Sequence, residues 1–346
     1  MNIINKLFDE EFALNYLRKK LLPLYPYFKD IVKIKIIPHK KLVWDKTYHV
    51  VIEFELIFKR ENNKRTKLLI FCSAHSSEPR INYFHGLKFL WEHGFAKGNL
   101  TIPHPLFFSK QFNAIFYRGI RGHHLHYYIR EHDFKEVENI VTKVAKWLSK
   151  LHKIKADYAQ NFNAQNALIK TVMPGINFIL ERVDREHKRF SEVCKNIYEI
   201  LIRNEENFLA STDKRWLVHG DAHPENFIKI SKQKIGAIDF TDLCVSDFAR
   251  DLGAFSQQLD YMIGKQTEDK EYIEKIKNLF LDSYFKASKT KPDQTLLGRI
   301  NNYYNFTTMR TATYFLIKED PDEAKAAKLL KKICDNLNIN FNIDKN

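Results

Sequence analysis

From about residue 133 to its end, this chain repeats apolar residues at helical spacing, and the pattern is interrupted once, by 216–240, WLVHGDAHPENFIKISKQKIGAIDF. That interruption constrains the fold more than any other feature. Two short apolar runs, NFIKI and GAIDF, flank the polar turn SKQK, the pattern of a β-hairpin. His219, Asp221, Asn226 and Asp239 gather around it. The helical reading on either side is well supported. FKEVENIVTKVAKWLSKLHKIK places Val137, Ile140, Val141, Val144, Leu148 and Leu151 on one stripe, and further helical patterns cover 176–209, 246–264, 270–287, 295–317 and 321–337.

The first third reads differently. A helix is expected over 9–28, broken by Pro23 and Pro26, followed by the strand-like runs IVKIKIIP, YHVVIEFELIFKR and KRTKLLIFCSA, the last two joined by the turn ENNKR. PRINYFHGLKFLWEH returns to helical spacing and stops at Gly94, and NAIFYRGIRG gives a further strand ending in two glycines. At 346 residues the chain is long for one core. The expected organisation is therefore two lobes with a seam near 119–122: a β-rich lobe over 1–119 and a mainly helical lobe over 120–346. Ligands commonly lie between such lobes.

Composition excludes several function classes. With 44% hydrophobic and 14% aromatic residues the chain can bury a sizeable core, so wholesale disorder is excluded. The formal charge of +14 favours anionic partners such as nucleotides, but says nothing of fold or chemistry. No compact basic tail or interleaved stacking motif marks a nucleic-acid face, so a lysine-rich solvated surface is the simpler reading and no nucleic-acid partner is expected. Cys72, Cys194, Cys244 and Cys334 lie far apart and form no CxxC pair, which argues against a disulfide framework or structural zinc site and for a reducing interior. The amino terminus lacks a signal-peptide core, and no run of about 18 apolar residues exists. No membrane association and a cytoplasmic location are expected.

The hairpin carries the chemistry. If Ile230 pairs with Ile235 across the four-residue turn, Asn226 falls opposite Asp239, and an amide oxygen and a carboxylate converge at the open end. Oxygen ligands presented this way, with no nearby thiolate, suit Mg²⁺, which keeps several waters and shares its sphere with phosphates. Asp221, in the loop feeding the first strand, can face the same space. The order His-x-Asp-x-x-x-x-Asn followed by a strand-borne Asp matches the kinase catalytic arrangement, in which positioning and charge stabilisation do most of the work. A single Asp or His in a loop is more often a turn former or cap. Several required residues at the required spacing are a different matter.

LVHGDAHPENFI, AIDFTD and VSDFARDLGAF resemble the signature segments of the aminoglycoside phosphotransferase and choline kinase family of small-molecule kinases. The match is specific around 215–256, with a weaker resemblance in LHYYI, VAKWLSKLH and LKFLWEHGF. The resemblance implies an α+β, bilobal, protein-kinase-like fold. It implies ATP as phosphoryl donor, Mg²⁺, and a small-molecule acceptor such as an amino sugar, sugar or amino alcohol. It implies Asp221 as catalytic base, Asn226 and Asp239 as metal ligands, His219 as the residue bracing the loop, and Asp251 as support for the catalytic segment. Asp242 and Asp247 are candidates for the acceptor pocket, a helix cap or surface acid being the plainer reading of each.

The first lobe departs from the family pattern. A glycine-rich turn normally lets backbone amides approach phosphates, but PHKKLVWDKT contains no glycine. The strand expected to carry a phosphate-binding lysine reads LLIFCSAHSS, with Cys72 or Ser73 in that place, and the following helix shows no clear partner glutamate. Lys40, Lys41 and Arg80 are the candidate replacements, a solvated surface residue being the plainer reading of each. The connector YRGIRGHHLHYY could offer backbone at Tyr117, Arg118 and Gly119 to an adenine edge, or be a plain surface loop; its histidines lack the i, i+4 spacing of a helical metal site. The aromatic stripe of Tyr303, Phe306, Tyr314 and Phe315 reads as core, with acceptor contact as the minor option. The missing lysine and glycines also support an alternative, a kinase-like nucleotide- or metabolite-binding protein with weakened catalysis.

Overall fold

The computed structural model describes residues 2–156 and 162–343. In chain order it contains α1 (Glu10–Leu21), β1 (Asp30–Val43), β2 (Tyr48–Lys59), β3 (Arg65–His75), α2 (Arg80–Leu90), β4 (Leu100–Thr101), β5 (His104–Ser109) and β6 (Ala114–Arg118). There follow β7 (His123–His124), α3 (Leu125–Arg130), α4 (Phe134–His152), α5 (Ile176–Glu186), α6 (Ser191–Ser211), β8 (Trp216–Val218), β9 (Phe227–Lys229), β10 (Ile235–Ala237) and β11 (Cys244–Ser246). The chain ends in α7 (Ala249–Ile263), α8 (Lys270–Ser288), α9 (Gln294–Ile317) and α10 (Glu323–Leu337). Two compact units result: Met1–Gly122 with Ile230–Thr241, and His123–Lys229 with Asp242–Asn346.

The first unit is built on a five-stranded sheet in the order β1-β2-β3-β6-β5. Strand side chains alternate between faces, so every second residue of β2 is fully buried while its neighbours are half-buried on the other face. Val50, Ile52, Phe54, Leu56 and Phe58 join Leu68, Ile70, Cys72 and Ala74 in a core closed by Ala13, Leu17 and Leu21 of α1. The same alternation turns His49, Phe71 and Tyr117 to the opposite face, where Phe71 stacks on Tyr117 with ring centroids 5.8 Å apart.

Two expectations need correction here. PHKKLV is strand, not turn: β1 continues through it, with a register shift between Pro38 and Lys40, a place where a strand tolerates proline. The turn itself is Trp44–Thr47, closed by Trp44 N–H donating to Thr47 O at 2.9 Å. The turn after Ile230 is also tighter than simple pairing of Ile230 with Ile235. The amides of Ile230 and Ser231 both donate to Lys234 O, at 2.9 and 3.1 Å, a bulge that puts two residues opposite one and ends the even register. β10 then pairs in parallel with β4, Ile235 opposite Leu100.

The second unit is helical, with α7 packed on α9, α4 on α8 and α9 on α10. Asp133, Asp269, Asp293 and Asp322 each accept an amide of the following turn as N-caps. Gly253 of α7 lies where a Cβ would meet Ile300 O at 2.5 Å, so α7 and α9 approach at backbone contact. The pattern over 176–209 resolves into two helices, because His187 leaves helical geometry and its ring meets Glu323 at 2.6 Å. Short pairs β7–β9 and β8–β11 complete the unit. All four cysteines are buried free thiols, and among the described residues no helix is long and apolar enough to cross a membrane.

Candidate active site

The loop following β8 is held from below by one carboxylate. Asp251, fully buried in the first turn of α7, accepts the His219 amide on Oδ2 at 2.7 Å and the Gly220 amide on Oδ1 at 3.0 Å. His152 Nε2 stands 2.9 Å from the same Oδ2, and Tyr284 OH lies 2.8 Å from His152 Nδ1. Burial works against the charged form of Asp251, but the hydrogen bond and charge of His152, with the charge and amide of His219, outweigh it and hold the carboxyl below its ordinary range. The His219 ring packs between Trp147 and Phe227, with centroids 6.1 and 5.9 Å away. Gly220 turns the chain outward at φ +82°, and a Cβ there would stand 2.1 Å from Asp242 O. Only glycine fits.

The turn delivers Asp221 to a cavity of about 480 Å³ within this unit, walled by α7 and α9. The Asp221 side chain is 52% exposed at the cavity floor, 3.5 Å from His223 Nε2. Its concave setting works to raise its pKa, yet the His223 hydrogen bond and the charges of His223, His219 and Arg310 prevail, lowering it to about 2. Five residues on, Asn226 is 5% exposed in the short turn Pro224–Asn226, and its Nδ2 donates to Asp221 O at 2.9 Å, which fixes its amide. Asp242 lines the cavity and accepts a hydrogen bond from Asn166 Nδ2. Asp247 does not line it: its Oδ1 accepts the Ala249 amide at 3.0 Å where α7 begins, and it pairs with Arg299 Nε at 3.0 Å.

In the first unit, Asp239 lies two residues beyond β10, not on it, with left-handed backbone at φ +58°. Its Oδ1 accepts Thr241 Oγ1 at 2.7 Å, and Thr241 Oγ1 in turn accepts Arg80 Nη1 at 3.0 Å. Arg80 opens α2, is 4% exposed, and pairs with Glu78 Oε2 at 3.0 Å. Strand alternation sends Cys72 into the core, where burial pushes its thiol well up; the nearby Arg80 charge opposes this only in part. Lys40 and Lys41 are exposed on β1, the latter with Nζ 4.4 Å over the Phe8 ring. Of the backbone expected to meet an adenine, Tyr117 and Arg118 lie on β6 between β3 and β5, and the Gly119 amide donates to Leu69 O at 3.2 Å.

The family model of the phosphotransferase enzyme family, APH, matches residues 52–281. This chain belongs to that family. It is a small-molecule kinase with the mixed α+β, protein-kinase-like fold of its relatives. An ethanolamine kinase of Plasmodium vivax is 16% identical, with a TM-score of 0.53 over 94% of this chain and 89% of that one. An amicoumacin kinase, hAmiN, solved with AMP-PNP and Ca²⁺, is 16% identical with a TM-score of 0.57 over 94% and 96%. The choline kinase LicA of Streptococcus pneumoniae is 13% identical, at 0.51 over 94% and 98%. No curated protein matches significantly.

Within this phosphotransferase, sequence reasoning singled out Asp221, Asn226 and Asp239 but missed Arg310 and the α7 wall of the cavity. A signal was present: Phe306, Arg310 and Tyr314 recur every four residues along α9, and all line the cavity. Tyr303, one position off that row, is core at 2% exposure.

Proposed function

We propose that this phosphotransferase moves the γ-phosphate of ATP to a hydroxyl of a small molecule. The first unit would take the nucleotide and the second the acceptor. Asp221 orients the acceptor hydroxyl and receives its proton, Asn226 and Asp239 are the Mg²⁺ ligands, and His219 and Asp251 fix the loop. The observation that carries the reading is the pair of amides pinned by Asp251, which holds the His219–Gly220 turn so that Asp221 opens to the cavity. A carboxyl lowered to about 2 stays ionised at any working pH and is a weak base, so its contribution is chiefly to orient the hydroxyl until late in transfer.

Among the described residues, no cluster of three or more His, Cys, Asp or Glu could hold a metal by itself. A two-oxygen set, one amide and one carboxylate, suits an ion that takes its remaining ligands from water and phosphate. The Asn226 amide is oriented by its bond to Asp221 O, and Asp239 Oδ1 is engaged by Thr241 while Oδ2 is not, so both residues fit that role. Bound there, the ion would neutralise phosphate charge during transfer.

Arg80 takes over from the missing lysine, acting on Asp239 through Thr241. That buried cation weighs against the weakened-catalysis reading, whose support is the glycine-free turn at Trp44–Thr47 and the thiol of Cys72. The test is a thermal-shift titration with ATP, with and without Mg²⁺, followed by ATP consumption over a library of hydroxyl compounds. Stabilisation with turnover supports the kinase, and stabilisation without turnover for any acceptor supports the binding protein.

A further inference from the structure

We propose that the acceptor carries an anionic group, a carboxylate or phosphate beside its hydroxyl, which Arg310 and Lys265 hold in the second unit's cavity. This rests on the kinase reading and names its substrate class. The cavity brings three cations, Arg250, Lys265 and Arg310, together with three carboxylates, Asp221, Glu225 and Asp242. The two sets differ in what they already do. Glu225 is paired with His126 at 2.9 Å, Asp242 accepts Asn166, and Asp221 is the base. Arg250 is 5% exposed and spent on the carbonyls of Asn166 and Gly220.

Arg310 is different. Its Nη2 donates to Met173 O at 3.0 Å and its guanidinium lies 6.0 Å from the Phe306 ring centroid, which fixes the group. Its Nη1 is buried without a hydrogen-bond partner among the described residues. A fixed planar fork with an unspent donor suits a carboxylate or phosphate oxygen, and a buried donor left unmade is costly until such a partner arrives. Lys265, exposed at the end of α7, carries its ammonium 4.1 Å over the Tyr261 ring and forms no ion pair among the described residues. Glu225 and Asp242 are each already engaged through one oxygen, which weakens this cavity's hold on a polycationic acceptor. Phe306, Met262 and Tyr314 supply apolar wall for the carbon skeleton.

The test uses the full chain with MgATP and acceptor pairs that differ in charge: D-glycerate with glycerol, shikimate with methyl shikimate, fructose 6-phosphate with fructose, and the cations choline and kanamycin. Transfer to at least one anion is expected, with kcat/KM at least tenfold above its neutral partner. Arg310→Gln should erase that preference by raising the acceptor KM about tenfold, with the KM for ATP unchanged. Preferential transfer to neutral or cationic members overturns the proposal, as does an Arg310→Gln loss that falls on ATP equally for every acceptor. A chain that MgATP stabilises but that neither binds nor phosphorylates any anion overturns it too, and leaves the kinase standing where a neutral or cationic member turns over. A chain that MgATP does not stabilise overturns the kinase reading itself.

Discussion

Arg80 and Thr241, 161 residues apart, are joined by a hydrogen bond of 3.0 Å, and Thr241 passes the contact on to Asp239 at 2.7 Å. A buried guanidinium thereby holds a proposed metal ligand in left-handed backbone. Arg80→Met is expected to lower kcat/KM for MgATP about ten- to a hundredfold, since a hydrogen bond to a charged group contributes about 1.5–3 kcal/mol. The loss should shrink at high Mg²⁺, and Arg80→Lys should recover part of it. Kinetics across a Mg²⁺ series, with melting curves run alongside, check this. An unchanged Mg²⁺ dependence contradicts it.

Gly220→Ala should disable the loop without unfolding the chain. Its Cβ would stand 2.1 Å from the Asp242 backbone, at a positive φ that side chains disfavour. About 1–3 kcal/mol of stability and most of the turnover should go, read by thermal melting and ATP consumption. A fully active variant would show that Asp221 reaches its place some other way.

The Asp251 carboxyl is held below its ordinary range in the fold. Its stabilisation is therefore complete above the unfolded value of about 3.9 and disappears as pH falls through the lower folded value. Asp251→Ala should cost about 1–3 kcal/mol for each buried donor it strands, the His219 amide first among them. It should also flatten the acid limb of a melting-temperature profile. An equally steep acid limb in the variant would remove this account.

Glu205 behaves oppositely. Burial is the main cause that raises its carboxyl, and although the Ile169 amide, at 2.8 Å, and the Tyr303 hydroxyl oppose it, the value reaches about 7. Stability from the protonated form is complete below about pH 4.3 and is lost as pH rises to the folded value. Glu205→Gln should raise the melting temperature at pH 8 and change it little at pH 4, which melts at the two pH values test directly.

The residues that announced themselves in sequence are those whose spacing the proposed chemistry demands. His219, Asp221 and Asn226 sit within eight positions of one another, and local turn geometry brings them together wherever the chain goes. Helical stripes were equally legible, because α4 repeats its apolar face over five turns. Arg80 was legible only as one of three candidate cations: a buried arginine and a surface arginine look alike in one dimension, and its partner Thr241 lies far along the chain. The β1–β2 turn was misplaced because lysines and a proline suggested a loop, whereas a register shift absorbed the proline within the strand. Gly119 was read as part of a connector whose backbone could meet an adenine edge. In the fold, a Cβ there would stand 2.3 Å from the Phe71 ring, so close packing also requires glycine at this position.

The central claim is that Asp221 acts on the acceptor hydroxyl and not on the nucleotide. Asp221→Asn keeps the side chain's size while removing its charge, so single-turnover phosphoryl transfer and MgATP affinity should be measured together in that one variant. The account predicts transfer lowered by at least about a thousandfold with MgATP binding within about twofold of the parent. Unchanged transfer, or a loss explained wholly by weaker MgATP binding, would contradict it.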